Sequence, residues 1–442
     1  MPKSKKIESK NIKSKGKSKS KGKEKANSFS TPKGMHDILP QDQAWWDKVI
    51  NAGQELAELY DFYRIETPIL ESAEIFERSL GEATDVLEKQ MYILKTRGGD
   101  KLALRPEATA PIMRAYLQHH LGYWAQPLRV YYFGPMFRHE HAQAGRYRQF
   151  HQFGFETIGD AGAVYDVQLI LMMRHFLELL KIQDIKLQVN TIGCRVCRPH
   201  YQRKLQDYYK PLKKKICKDC QRRLEVNPLR LLDCKNEICQ EFKQNAPSLL
   251  NNLCQNCNAH FREVLELLED SEVPYEPNPF LVRGLDYYNR TIFEIFSGEN
   301  NLALAAGGRY DYLAELLGGR LVPAVGGALG MERVIEIIKS GNTNSKVSPK
   351  VFFIAIGDQA KKAALPYMIK LRKAGVRVAE SLGKDSLKSQ LGAADRQKAK
   401  LALIFGQKEV FEESIIIRDM KNGAQETISL SKIVEEVKKR IR

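Results

Sequence analysis

No run of this 442-residue chain approaches the roughly 20 consecutive apolar residues that a bilayer-spanning helix needs. The opening segment, which includes "KSKGKSKSKGKEK", lacks the apolar stretch of a secretory signal and the Arg-rich amphipathic pattern of a mitochondrial one. A soluble, cytoplasmic protein with no membrane partner is the expectation by elimination. Phosphate-binding glycine signatures are missing as well. There is no GxxxxGK followed by Ser or Thr, and no strand-linked GxGxxG. Cysteine is absent outside residues 194–257. Acidic residues are in deficit: 53 Asp and Glu face 70 Lys and Arg, a net charge of +17. That balance suits a polyanionic partner, most simply a nucleic acid.

The charge is uneven. Residues 1–29 hold 11 Lys and 2 Glu and carry +9, which leaves +8 on the rest. The Lys/Ser-rich repeat has nothing apolar to bury and its like charges repel, so residues 1–30 are expected to be a disordered tail. Attraction to RNA and plain solubility would each account for it.

The remaining length has room for two or three domains with a large core. Trp45, Val49, Leu56 and Leu59 recur at helical spacing, which predicts a long helix ending near Tyr60. A strand through Ile65, broken at Pro68, should follow. Strand-like runs then accumulate: "KQMYILKT", "KLALRPE", "LRVYYFGPMFRHE" and "RQFHQFGFETIG". The helix "DVQLILMMRHFLELL" separates the last of these from "IKLQVNTIG". Strands with few intervening helices argue for an antiparallel sheet of the α+β class. Residues 196–272 are Lys-rich, helical in pattern and hold nearly all the cysteine. They read as an insertion between two parts of one domain, 31–195 and 273–339, with strand pattern resuming at "FLVRGLDYYNRTIFEIF". A polar linker, 340–348, leads to residues 349–442, where strand and helix patterns alternate as in a small α/β domain.

Some residues invite chemistry. In "RYRQFHQFGFETIG", Phe153 and Phe155 point one way along a strand, while Gln152, Gly154 and Glu156 point the other. A solvent-facing strand is one reading of that polar face; a small polar ligand lying on it is another. "GPMFRHE" ends a strand with Arg138 and Glu140, which a surface salt pair would also explain. Arg333 follows the glycines of "GGALGMERV", where backbone amides and a helix start suit phosphate oxygens. Arg283 lies in "LVRGLDYYNR", and Glu107 in "LRPEAT". Only jointly do these residues suggest an anionic ligand.

Together the segments resemble the class II aminoacyl-tRNA synthetases, and within them the histidyl-tRNA synthetase family, from about Thr31 to Arg442. The region around Pro68 resembles motif 1, "RVYYFGPMFRHE" with its following loop motif 2, and "GGALGMERV" motif 3. "LVRGLDYYNRTIFE" and "AAGGRYD" resemble motifs specific to the histidine enzymes. Ala108 and Tyr312 stand where glycine is usual, and neither change removes a functional group.

The resemblance implies an antiparallel sheet flanked by helices and a C-terminal anticodon-binding domain, to which the Cys-rich helical insertion read above is added. It implies ATP-dependent activation of L-histidine, with Mg²⁺ on the β- and γ-phosphates, and transfer to histidine tRNA. Arg138 and Arg283 would hold the α-phosphate and Arg333 would reach the γ-phosphate, with Glu140 and Arg146 also in the ATP site. Glu107, Thr109 and Gln152 would hold the α-amino group of histidine. Glu156, Tyr287 and Tyr288 complete the histidine site, Glu156 and Tyr288 facing the imidazole, while Gly154 leaves room for the ligand. "EHAQAGRYRQ" would approach the tRNA acceptor end, with Gln143 a candidate contact unless it is merely a mobile surface residue. A homodimer is implied through motif 1. Two other readings have less support. A regulatory relative of the fold usually lacks the anticodon domain and the histidine motifs, both present here. A general RNA-binding protein would not need Arg283, Glu107 and Glu156 together.

The eight cysteines form four pairs: Cys194 and Cys197, Cys217 and Cys220, Cys234 and Cys239, Cys254 and Cys257. In a cytosolic protein such spacing suggests Zn²⁺ more than disulfides, with reduced thiols the plainer alternative. The preferred ligands are Cys217, Cys220, Cys254 and Cys257, though other pairings fit. A structural role is expected, because the candidate catalytic motifs contain no cysteine.

Overall fold

The computed structural model describes residues 29–81, 86–141, 143, 145–298, 302–340, 351–383 and 386–441. Residues 1–28 of the expected tail and 341–348 of the expected linker lie outside them. The chain forms two compact units that meet in sequence at residues 343 and 344.

In the first unit, helix α1 (Gln43–Leu59) buries Trp46, Val49, Leu56 and Ala57. Trp45 is only partly covered and Leu59 is 66% exposed, against expectation. Ten residues of helix turn Leu59 about 80° away from Val49, off the buried stripe. The expected strand through Ile65 is shorter, β1 (Tyr63–Arg64). Strands β2 (Leu70–Ser72), β3 (Tyr92–Lys95) and β4 (Lys101–Leu104) make a small antiparallel sheet in the order β2-β4-β3. Helix α2 (Ala73–Leu80) follows β2, and α3 (Thr109–Gln118) follows β4.

The main sheet draws on strands far apart in the chain: β5 (Leu128–Phe137), β6 (Gln149–Ile158), β7 (Ile185–Thr191), β8 (Glu276–Pro277), β9 (Asn289–Ser297), β10 (Ala305–Arg309) and β11 (Ala324–Gly330). Their order is β1-β5-β6-β11-β10-β9-β7-β8. Every pairing is antiparallel except those of the two-residue edges β1 and β8. Phe153 and Phe155 on β6 pack with Phe176 of helix α4 (Ala163–Leu179) beneath the sheet. The opposite, polar face of β6 is therefore free to serve a site. "LVRGLDYY" is not strand, as the sequence pattern suggested; pairing begins only at Asn289.

The glycines of "GGALG" are not a phosphate-cradling loop either. They lie in β11, with Gly326 registered against Glu156 on one side and Gly308 on the other. A Cβ on Gly326 would sit 1.4 Å from the Glu156 carboxylate. Gly326→Ala is therefore expected to destabilise the fold by about 1–3 kcal/mol, the usual cost of overpacking. A urea midpoint unchanged from wild type would refute this.

Residues 196–272 form helices α5 (Cys197–Tyr209), α6 (Lys218–Val226), α7 (Glu237–Gln244) and α8 (Gln255–Asp270), joined by short turns. They share hydrophobic cores with the sheet unit. Val264 and Leu268 join the α4 side, while Tyr201, Leu205 and Leu224 cluster with Leu285, Tyr287 and Tyr288. Helices α9 (Leu313–Leu316) and α10 (Met331–Ser340) complete the unit.

The second unit is a five-stranded sheet in the order β13-β12-β14-β15-β16: β12 (Val351–Ala355), β13 (Val378–Glu380), β14 (Leu401–Phe405), β15 (Ser414–Asp419) and β16 (Gln425–Ser429). The first three are parallel and the last two antiparallel. Among the described residues no helix is long and apolar enough to cross a membrane.

Candidate active site

A cavity of about 280 Å³ opens over the polar side of β6, β10 and β11. Two networks line or underlie it.

The first is built on Glu107, just ahead of α3. Its carboxylate accepts the backbone N–H groups of Thr109 (2.6 Å) and Ala110 (3.0 Å), where the helix dipole also favours a negative charge. The Tyr287 hydroxyl donates to it at 3.4 Å. Burial nonetheless pushes the Glu107 carboxyl above its ordinary range. Thr109 turns its hydroxyl to Glu156, donating at 2.8 Å, and the Tyr310 hydroxyl donates to the other Glu156 oxygen. Glu156 is only 1% exposed and lies beneath the cavity wall, whereas Glu107, Thr109, Gln152, Tyr287 and Tyr288 line it. Burial raises the Glu156 carboxyl to about 8; the two hydroxyls oppose the shift and the Glu107 charge adds to it. The Gln152 Oε1 is buried and has no hydrogen-bond partner among the described residues.

The second network is cationic. Arg138 donates from Nε to the Pro106 carbonyl at 2.9 Å and covers the Phe150 ring at 5.1 Å. Glu140 lies 4.0 Å from Arg138 and 3.5 Å from Arg146. Arg333, in the first turn of α10, donates to the carbonyls of Gly145 (3.0 Å) and Ala303 (2.6 Å). Burial lowers its pKa, and the neighbouring Arg146 lowers it further. Arg283 pairs with Glu294 and lies over the Tyr288 ring at 5.4 Å. The Nε groups of Arg146 and Arg283 are buried and unpartnered among the described residues. Unpaired donors and one unpaired acceptor around the same space favour a ligand with both anionic and cationic ends. Gln143 is exposed and outside the cavity, its backbone exchanging hydrogen bonds with Arg146.

Three features escaped the sequence. Tyr310 is the second hydroxyl on Glu156; it sits inside "AAGGRYD", so the motif carried the signal and only the role was missed. Gly154 makes room for Tyr132 rather than for a ligand, since a Cβ there would meet that ring at 2.4 Å. The loop carrying Arg283 and the two tyrosines is gripped from the helical insertion. Arg230 donates to the Arg283 carbonyl at 3.1 Å, Asn227 to the Asp286 carboxylate at 2.9 Å, and Arg198 to the Tyr288 carbonyl. Nothing in their spacing announces this.

The expected cysteine quartet does not assemble. Cys217 and Cys220 gather with Cys234 and Cys239, and Cys254 and Cys257 with Cys194 and Cys197. Helices α5 and α8 start side by side, which joins the first pair to the last.

An antiparallel sheet carrying this polar face, with arginines supplied by the β5–β6 connection and by the helix after β11, defines a class II aminoacyl-tRNA synthetase. Residues 34–334 match the family described as histidyl-tRNA synthetase, and residues 350–440 match the anticodon binding domain. A histidine–tRNA ligase of Dehalococcoides mccartyi is 45% identical, over 93% of this chain and 100% of its own length. One from Thermodesulfovibrio yellowstonii is 42% identical, over 93% and 99%. The apo structure of the S. aureus histidyl-tRNA synthetase superposes with a TM-score of 0.77 at 33% identity, covering 94% of this chain and all of that one. The chain belongs to the histidyl-tRNA synthetase family.

Proposed function

We propose that this protein activates L-histidine with ATP to histidyl-adenylate, releasing pyrophosphate, and then transfers histidine to the 3′ end of histidine tRNA. The observation that carries the reading is the unpaired Gln152 Oε1 in the cavity that Glu107 also lines, together with the unpaired Nε groups of Arg146 and Arg283 there. Glu107, Thr109 and Gln152 take the α-amino group. Tyr288 and Glu156 select the imidazole, Glu156 from beneath through Thr109 and Tyr310, and Tyr287 steadies Glu107. A site with such hydroxyl and carboxylate partners rejects amino acids lacking the matching groups by roughly 10⁴–10⁵, because its own polar atoms would be left unpaired.

In the first step the histidine carboxylate attacks the α-phosphorus and pyrophosphate leaves. Arg138 and Arg283 stabilise the charge that builds on the α-phosphoryl oxygens, and Arg333 holds the γ-phosphate. Arg146 and Glu140 frame the nucleotide. Glu140 is a hard oxygen donor on the cavity wall and fits Mg²⁺, which would neutralise charge on the β- and γ-phosphates when bound. Gln143, at the exposed turn, approaches the tRNA acceptor end, and the 349–442 domain takes the anticodon. A homodimer through the surface near Pro68 is part of the same reading, supported by Tyr63 and Trp124, 63% and 62% exposed beside it. So is a cytoplasmic location.

The test is ATP–pyrophosphate exchange with each of the twenty amino acids. Exchange with histidine alone is expected. Its absence with every amino acid, from protein shown to be folded, would remove the reading.

A further inference from the structure

We infer that the helical insertion holds two separate structural zinc ions, each bound by four thiolates: one by Cys194, Cys197, Cys254 and Cys257, the other by Cys217, Cys220, Cys234 and Cys239. The sulfurs of each quartet lie within 4.8 Å of one another. Four ligands at the usual Zn–S length of about 2.3 Å stand roughly 3.8 Å apart at the corners of a tetrahedron. The sulfurs of Cys194 and Cys197 are 3.8 Å apart, those of Cys194 and Cys254 3.7 Å, and those of Cys217 and Cys234 3.9 Å. A disulfide needs about 2.05 Å and joins two sulfurs, not four. The spacing is also too tight to enclose a cluster of iron and sulfide, which leaves a single tetrahedral ion, and an all-thiolate tetrahedron suits zinc.

The backbone is arranged for the charge. All four pairs fall at the starts of helices. Cys194 and Cys197 precede and open α5, Cys217 and Cys220 straddle the start of α6, Cys234 and Cys239 that of α7, and Cys254 and Cys257 that of α8. Helix starts favour thiolates. Main-chain N–H groups also point at the sulfurs: Cys194 N–H at Cys197 (3.2 Å), Val196 at Cys194 (3.4 Å), Cys217 at Cys239 (3.3 Å) and Asn236 at Cys234 (3.4 Å). Four thiolates around one divalent ion leave an excess of negative charge. Arg198 lies within electrostatic reach of Cys194 and Cys197, and Lys243 of Cys234.

The two sites are nested, since residues 217–239 lie within the loop that the outer quartet closes. The outer ion would tie α5 and α8 to the end of β7. Helix α5 also carries Arg198, which donates to the carbonyls of Ile192 (3.1 Å) and Tyr288. Its effect on the histidine site rests on the proposed function; the metal content does not.

Elemental analysis of the full chain purified without chelator decides the matter. About two zinc per chain are expected, falling to about one in both Cys234→Ser and Cys257→Ser. Cobalt(II) in place of zinc should give the intense absorption of a tetrahedral thiolate complex in wild type, without recourse to a variant. Below ~0.2 zinc per chain with eight titratable thiols would overturn the inference. So would a single zinc lost on changing either Cys217 or Cys254, which would mean one mixed site, and so would bound iron.

Discussion

Arg283→Ala is expected to lower kcat for histidine-dependent pyrophosphate exchange by about 10²–10³-fold, the usual cost of removing one preorganised charge from a transition state. The guanidinium is held before any substrate arrives. Glu294 pairs with it, the Tyr288 ring lies under it, and Arg230 fixes its carbonyl from another part of the chain. A charge fixed in this way needs no reorganisation as the α-phosphorus is attacked. The loss should fall mainly on kcat, because the charge it meets is largest in the transition state. Lysine should not restore activity, since it cannot present a planar fork to both Glu294 and a phosphoryl oxygen. Steady-state exchange rates on protein with an unchanged thermal midpoint are the measurement. A loss under tenfold would take Arg283 out of the chemistry.

Glu156→Gln removes a pH dependence of stability that wild type possesses. The folded Glu156 carboxyl titrates near 8, against about 4.5 when unfolded. Between those values the folded state keeps a proton that the unfolded state has released, so folding stability falls as pH rises through the window. Each unit of separation is worth roughly 1.4 kcal/mol. Glu107 is shifted the same way and contributes a slope of the same sign, so the informative quantity is the difference between wild type and variant. That difference should move in the variant's favour from pH 5 to about 8 and then level off. Urea midpoints across pH 5–9 test it, and parallel curves would mean that the carboxylate ionises at an ordinary pH. The variant should also raise the KM for histidine, since the amide has one acceptor oxygen and its NH₂ group cannot accept the second of the Thr109 and Tyr310 hydroxyls.

Much of this site was legible because its residues sit in short, patterned segments. Alternation along β6 separated Phe153 and Phe155 from Gln152 and Glu156 without any knowledge of the neighbours. Arg138, Arg283 and Arg333 stood out beside strand ends and glycines. What the sequence hid depends on contacts across long separations. That Gly326 clears space for Glu156 is a matter of the register that joins residues 149–158 to residues 324–330, and that Gly154 clears space for Tyr132 is a matter of the register that joins residues 149–158 to residues 128–137. The cysteine pairs were visible, but which pair meets which depends on α5 and α8 starting together, and equal spacings cannot distinguish the combinations. The grip of Arg198, Asn227 and Arg230 on the Arg283 loop left no local pattern at all.

The same register governs how the chain is made. Strand β6 pairs with β5 at once, but its other neighbour, β11, comes only after the whole insertion. Until then β6 is a bare sheet edge carrying the sequence "QFHQFGFETI", with Phe153 and Phe155 on one side. Unpaired, aromatic edges of this kind are the surfaces on which nascent chains stick to one another. The middle of the sheet, and with it the floor under the cavity, closes only after the ribosome has added residues 324–330.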